Sequence, residues 1–280
     1  MAGQNFSVVN NLNSLNAQRN LGISNININN TLAKMSSGLR ITQAADDAAG
    51  LAIGNALKAD YMALTQGVRN ANEGIGIVQV ADGGLSRISD MLSRATQLAT
   101  QAASDTVGDA ERRTIDTEYQ QILQEIDRVV DTTNFKGERL FSQDSAVNKS
   151  IYVGDTQLQS NIDLSIGAAG GAGTSAMGLN GTNISTAADA RNTLSLIQDA
   201  ISEVSQMRGA LGAQENRLVN SVGIIEVQSQ NILAAESAIM DANMANQVTD
   251  LMKNRILLES GMASLAQANA TNQLVLQLFR

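Results

Sequence analysis

The chain contains no proline, cysteine, histidine or tryptophan, and only 3 Tyr and 4 Phe among its 280 residues. Each absence removes a class of protein. Without histidine or cysteine there is no imidazole base, no thiol nucleophile and no zinc site built on nitrogen and sulfur ligands. No disulfide can form. At ordinary usage of about 5%, a chain of this length would hold roughly 14 prolines. Proline removes a backbone donor and clashes with the preceding helical turn, so its absence points to long, uninterrupted helices. Aromatics at 2% are too few for a core of stacked rings.

Charge is sparse and tilted to one sign, with 27 acidic against 19 basic side chains and a net charge of −8. A net-acidic chain without a basic patch is a poor match for a phosphate backbone, so no nucleic acid partner is expected. In place of charge stand 27 Asn and 22 Gln, which make much of the polar surface neutral amide. Residues 1–18 show no continuous apolar run, so no Sec-type signal peptide is expected there. Ser260 to Phe279 carries no charge over 20 residues but includes Ser260, Ser264, Gln267, Asn269, Asn272, Gln273 and Gln277. Those amides and hydroxyls are expensive in hydrocarbon, so this is no transmembrane helix and no membrane partner follows.

What is abundant is helical periodicity. From Met244 the positions Met244, Val248, Leu251, Leu258, Met262, Leu265, Leu276 and Phe279 follow a 4,3 alternation once Arg255, Asn269 and Asn272 are admitted to the stripe. That is a heptad seam, about 54 Å long at about 1.5 Å per residue. Leu218, Val222, Ile225, Ile232 and Ile239 keep the same register. Ile115, Tyr119, Ile122, Ile126 and Val129 form another row, opened by Asp109 and Glu111 as suits a helix N-terminus. Ile77, Gly84, Ile88, Met91, Ala95, Leu98 and Ala102 make a fourth. Near the start, Leu12, Leu15, Ile23, Ile26, Leu32, Met35 and Leu39 are less regular but similar, and Gly38 reads as a helix stop.

The middle differs. Residues 134–166 alternate β-branched and polar side chains between turn residues, which predicts short hairpins. Gly167 to Gly173 reads as flexible, and Thr174 to Thr186, rich in Ser, Thr, Asn and Gly, as a surface loop ending at a helix cap on Ser185 or Thr186. The layout is helices outward, a small β insertion, and helices back.

Little of this resembles catalytic machinery. Asp46-Asp47 is an adjacent carboxylate pair, but nothing near it supplies a cleft to separate two pKa values, and a turn or cap between helices is the better reading. Gly74-Ile-Gly76 lacks the third glycine of a dinucleotide fingerprint. Gly50 and Gly54 form a GxxxG spacing that outside a membrane signals close helix approach. No catalytic residue, cofactor or metal is expected. The terminal seams carry more information: their large apolar side chains stabilise by about 1.5–3 kcal/mol each when buried, while polar residues within a seam select register and partner. Two lone helices joined at one end make a marginal unit, which argues that both are covered by neighbouring subunits.

The run Ser36-Ser37-Gly38-Leu39-Arg40-Ile41 followed by Ala44-Ala45-Asp46-Asp47-Ala48-Ala49-Gly50-Leu51-Ala52-Ile53 resembles the N-terminal signature of bacterial flagellin. Leu12 to Leu21, Glu125 to Val129, Asn134 to Gly137, and Ala268 to Gln273 running on to Arg280 are similar to the same family. The resemblance covers residues 5–142 and 185–280. It implies a mainly α fold, long antiparallel helices in a coiled-coil-like bundle with a small β-hairpin region. It implies domains at 1–43 and 238–280, the two halves of a filament-core coiled coil, around a helical bundle at 44–237 with its hairpin insertion and a loop at 167–186. The function implied is a structural subunit that self-assembles into the flagellar filament for motility. It would be secreted by type III export to the extracellular flagellum without being an enzyme.

The filament-core packing set would then be Leu12, Leu15, Ile23, Ile26, Leu32 and Met35 with Met244, Val248, Leu251, Leu258, Met262, Leu265, Leu276 and Phe279. Implied partners are further copies of itself, a secretion chaperone at the C-terminal helix, and the filament cap and hook-associated proteins. Some members are recognised by Toll-like receptor 5 through a helix to which Leu92 to Ala99 corresponds, with Glu118 facing it. Arg94, Leu98 and Glu118 match that contact set, whereas Thr96 and Gln97 stand where the family motif has arginine and glutamate. The alternative function is a hook–filament junction adaptor with similar termini.

Overall fold

The computed structural model describes residues 11–141, 147–154, 161–166 and 172–278. Five helices dominate among these described residues: α1 (Leu12–Ser37), α2 (Ala48–Ala102), α3 (Asp109–Thr132), α4 (Ala187–Met240) and α5 (Met244–Leu278). Four strands make two small antiparallel hairpins, β1 (Asn134–Phe135) with β2 (Glu138–Arg139), and β3 (Val147–Tyr152) with β4 (Asn161–Ile166). This is the mainly α architecture with a hairpin insertion that the periodicity predicts. No helix among the described residues is long and apolar enough to cross a membrane. The contacts divide the chain into two units, Asp60–Gln230 and the pair Met1–Ala59 with Asn231–Arg280.

In the unit Asp60–Gln230, α2 buries a strict heptad. Leu64, Ala71, Val78, Leu85, Leu92 and Ala99 are buried at seven-residue steps, and so are Gly67, Gly74, Ala81, Ile88, Ala95 and Ala102. The first set supplies bulk; the second is mostly small. The small set lets β3 and the residue that follows it lie close. A side chain at Gly67 would stand 2.6 Å from the carbonyl oxygen of Val153, and one at Gly74 would overlap the tip of Ile151. Helix α4 answers with Ala190, Thr193, Ile197, Ala200, Val204, Met207, Leu211, Leu218 and Ile225, again in 3,4 alternation and all buried. Gln214 occupies one position of that row, donating to the Ser165 carbonyl at 3.1 Å while its own amide oxygen is buried with no partner among the described residues. Between α2 and α4, Arg208 holds Asp82 through two nitrogens at 2.8 and 3.3 Å.

Helix α3 buries Tyr119, Leu123, Ile126, Val129 and Val130. Its acidic first turn works as expected, with the Glu111 carboxylate accepting from the Gly108 N–H at 3.2 Å. Arg112 is buried and donates to the carbonyls of Ala102 (2.8 Å) and Ser104 (3.0 Å) and to Asp109 (2.8 Å). One guanidinium therefore satisfies carbonyl groups orphaned where α2 ends.

The segment 172–186 departs from the surface loop that its composition predicts. Ala172, Thr174, Met177, Leu179 and Ile184 are buried. Asp127 accepts from the Thr174 N–H (2.9 Å) and hydroxyl (2.8 Å), Asp116 from the Ile184 N–H (2.8 Å), and Gln120 donates to the Thr182 carbonyl (2.8 Å). Polar side chains of α3 thus replace the hydrogen bonds that a loop usually takes from water, and the segment becomes a strap with an apolar underside. The reading of Gly167 to Gly173 as flexible falls largely on residues 167–171, outside the described residues. The cap at the end of the strap resolves to Thr186, whose hydroxyl accepts from the Asp189 N–H at 3.1 Å.

Candidate functional site

The unit formed by residues 11–59 and 231–278 is built around one helix pair. Helices α1 and α5 run antiparallel: the Asn11 amide donates to the Ala268 carbonyl at 3.1 Å, and Leu21 lies against Gly261. Their Cα atoms come within 8 Å of each other along the pair, as expected of two directly packed helices with axes about 8–10 Å apart. The faces turned together are, on α1, Ser14, Ala17, Leu21, Ser24, Ile28, Thr31 and Met35; on α5, Gln247, Leu251, Asn254, Leu258, Gly261, Leu265 and Ala268. Both follow heptad steps, and four of the seven in each set are small or polar. Ser24 and Thr31 are buried, and Thr31 satisfies its hydroxyl on the Asn27 carbonyl at 2.8 Å.

The linkers at the opposite end of the pair are locked. Gly38 closes α1 in the left-handed region (φ 73°), donating to the Lys34 carbonyl at 2.9 Å as the sequence reading anticipates. Leu39 and Asp241 then form a lone antiparallel bridge. The Arg40 N–H reaches the Met240 carbonyl at 2.6 Å, its guanidinium reaches the Ile239 carbonyl at 2.7 Å, and the Ala242 N–H reaches the Gly38 carbonyl at 2.8 Å. The two aspartates act as turn and cap. Asp46 accepts from Thr42 and Gln43 and pairs with Lys34 at 3.0 Å; Asp47 accepts from the Gly50 N–H at 2.9 Å and starts α2. The Lys34 ammonium, with the Thr42 N–H behind it, pulls the Asp46 carboxyl down to about 2. Of the GxxxG pair, Gly54 lies against Met240 of α4, whereas Gly50 is crowded by the capping Asp47 carboxylate and by Ile41.

The predicted packing residues divide over this pair. Leu251 is buried, and Leu258, Leu265 and Met35 are half-buried between the two helices. Leu12, Leu15, Ile23, Ile26 and Leu32 on α1, and Met244, Val248 and Met262 on α5, face outward at 41–64% exposure. The seam read from the sequence therefore serves two neighbours: Leu251, Leu258 and Leu265 point at α1, and Met244, Val248 and Met262 point away from it. Leu276 lies in α5 and Phe279 outside the described residues. Sequence reading missed Met252, Ile256 and Leu257, which are 54, 65 and 49% exposed. The signal for the first two was the four-residue step from Val248, visible only when the helix is allowed more than one apolar face.

A groove of about 530 Å³ runs along the pair, lined by Asn13, Asn16, Asn20, Asn27 and Asn254 beside Ser24, Ile23 and Leu257. Its polar lining is amide and hydroxyl, groups suited to hydrogen bonding rather than to proton transfer. Among the described residues, no group of three or more His, Cys, Asp or Glu is placed to hold a metal ion.

In the other unit, Arg94 meets Glu118 across α2 and α3, with its nitrogens 2.7 and 3.1 Å from one carboxylate oxygen, and also donates to Gln97 at 3.2 Å. Arg94 and Glu118 are about half exposed. Leu98, at 2% exposure, is a core residue of α2 and presents no surface to a partner. The contact set read from the motif is therefore reduced to the ion pair.

Comparison with known proteins gives one consistent result. Residues 8–146 match the bacterial flagellin N-terminal helical region, and residues 194–279 match the bacterial flagellin C-terminal helical region. The chain is 35% identical to a flagellin of Halalkalibacterium halodurans over 96% of its own length and 98% of that protein's. It is 34% identical, with the same coverage, to the flagellar filament 33 kDa core protein of Treponema phagedenis. A flagellar hook-associated protein from Vibrio parahaemolyticus shares the fold alone, at 12% identity and a TM-score of 0.57 over 70% of this chain and all of that one.

Proposed function

This chain belongs to the bacterial flagellin family and is a structural subunit that self-assembles into the flagellar filament; from that premise we propose that the α1–α5 pair is its assembly surface. The observation that carries this is the row of large apolar side chains left uncovered on both helices, from Leu12 to Leu32 and from Met244 to Met262. Water-exposed apolar side chains on two adjacent helices form the kind of patch that monomeric proteins avoid. Packing copies side by side removes it, and the locked linkers at Gly38–Asp47 and Asp241–Asn243 hold the pair in one geometry for each copy. Residues 1–43 and 238–280 form the filament core in this reading, and residues 44–237 form the helical bundle.

The subunit acts outside the cell, as a polymer and not as an enzyme. Before assembly the exposed face of α5 is held by a secretion chaperone. In the filament the chain also meets the cap and the hook-associated proteins through the same termini. Toll-like receptor 5 docks, in this proposal, on the Arg94–Glu118 pair. The hook–filament junction adaptor has fold likeness at 12% identity behind it, against family matches that span both ends of the chain.

The test is negative-stain electron microscopy of purified protein after seeding and a salt step. The wild type forms long filaments. Ile256→Asp, at a site 65% exposed in the subunit, changes the melting of the monomer by no more than about 0.5 kcal/mol. It nevertheless abolishes polymerisation, because an unpaired carboxylate buried between copies costs several kcal/mol. Leu258→Asp and Leu265→Asp, which face α1, also abolish it while leaving the 44–237 bundle helical. Normal filaments from Ile256→Asp and Leu258→Asp would overturn the assignment.

A further inference from the structure

The methionines of this chain are unevenly placed. Met177, Met207 and Met240 are buried, at 5, 5 and 8% exposure. Met62, Met244, Met252 and Met262 are exposed, at 58, 44, 54 and 51%. Three of those four lie on α5. Met244, Val248, Met252 and Ile256 succeed each other at four-residue steps, so on a helix they form one ridge with thioethers at alternate places, and every member is exposed. The chain has no cysteine, tryptophan or histidine to intercept an oxidant first. An exposed thioether is then the side chain that a peroxide oxidises most readily.

We propose that the thioethers of Met244, Met252 and Met262 form an oxidation site through which peroxide decides whether the subunit polymerises. The sulfur lone pair attacks one oxygen of hydrogen peroxide, the O–O bond breaks and the S–O bond forms. Sulfur loses two electrons in becoming the sulfoxide, and peroxide is reduced to water. The product is polar and no longer a flexible apolar filler, so the ridge that packs between copies acquires oxygen atoms with no donor to meet them. Buried Met177, Met207 and Met240 are spared, and the fold of the subunit survives. Within the filament the same ridge is covered, which makes the free subunit the vulnerable species. This rests on α5 being an assembly surface.

The experiment treats purified monomer with hydrogen peroxide, locates the added oxygen by peptide mass spectrometry, and measures the critical concentration for polymerisation by sedimentation. Untreated protein is measured first. If it stays monomeric, the filament reading itself fails before any oxidant is added. With untreated protein polymerising, oxidation at the three α5 sites raises the critical concentration at least about tenfold, and methionine sulfoxide reductase reverses the rise. The variant M244L/M252L/M262L keeps the side-chain volume; its own untreated critical concentration is the reference, and peroxide does not raise it although its Met62 is oxidised. Two results overturn the proposal: wild type carrying oxygen on all three thioethers that polymerises at the untreated concentration, or the leucine variant losing assembly to peroxide as the wild type does.

Discussion

Gly67 and Gly83 are helical glycines of the same helix, α2, and replacing each by alanine should move stability in opposite directions. Alanine in a helix interior is favoured over glycine by about 0.5–1 kcal/mol, because glycine loses more backbone freedom on folding. At Gly83 a new methyl meets nothing within 4 Å, so the helix keeps the whole gain. At Gly67 the methyl carbon would lie 2.6 Å from the Val153 carbonyl oxygen and 2.9 Å from its carbon. Those atoms are backbone at the end of β3 and cannot rotate away. The hairpin would have to retreat by about 0.4 Å merely to restore 3.0 Å, closer than which real methyl carbons essentially never come. Overpacking of this kind costs about 1–3 kcal/mol. Gly83→Ala is therefore expected to stabilise by about 0.5–1 kcal/mol and Gly67→Ala to destabilise by about 1 kcal/mol. The gap of about 2 kcal/mol corresponds to about 4–8 °C in melting temperature for a unit of this size. Thermal unfolding followed by far-ultraviolet circular dichroism measures it. A Gly67→Ala variant that melts at or above Gly83→Ala would show that the hairpin does not press on α2 and would refute the reasoning.

Two further outcomes follow from polar contacts. The Asp46 carboxyl is held at about 2 against an ordinary 3.8, so its contribution is fully present above the ordinary value and is lost as pH falls from about 4 through about 2. Solvent screening leaves about 1 kcal/mol of it; Asp46→Asn should flatten the acid limb of stability in that window, and an unchanged limb counts against the Lys34 contact. Asp127→Ala strips the acceptor from the N–H and hydroxyl of the buried Thr174. That costs about 2–3 kcal/mol, and limited proteolysis should cut within residues 172–184 well before the helices melt; a wild-type digestion pattern would mean that the strap is held by its apolar side chains alone.

How much of this was legible depended on which physics carried each element. Helix boundaries that rest on local chemistry could be read directly: Gly38 with its positive φ, Asp47 as the cap of α2, Glu111 in the first turn of α3. The row of α3 was visible because its buried positions hold large apolar side chains, whereas of α4 only Leu218 and Ile225 were read and the buried stretch from Ala190 to Leu211, with Ala190, Thr193 and Ala200 in it, was not. Of α2 the sequence row caught the buried Gly84, Ile88, Ala95, Leu98 and Ala102, but it did not reach the bulky Leu64, Val78, Leu85 and Leu92, and it passed over Gly67, Gly74 and Ala81 because they are small. The face of α1 turned toward α5 was invisible for the same reason: Ser14, Ala17, Ser24 and Thr31 do not look like a packing surface until a close partner helix is supplied. The strap at 172–186 misled for a different reason. Its Ser, Thr, Asn and Gly content is that of a solvated loop, and the acceptors that hold it, Asp116 and Asp127, lie about fifty residues or more away in sequence.

The hydrogen bond between Asn11 and Ala268 spans 257 residues of chain. A helix synthesised near the start must therefore wait for one synthesised near the end, and closing so long a loop carries an entropic cost that no local contact offsets on the way. Any chain stopped short of α5 leaves α1 with half of its interface missing. The pairing thus acts as a check on length: only a chain translated through α5 acquires the two-helix surface, and fragments that stop before it are excluded by geometry.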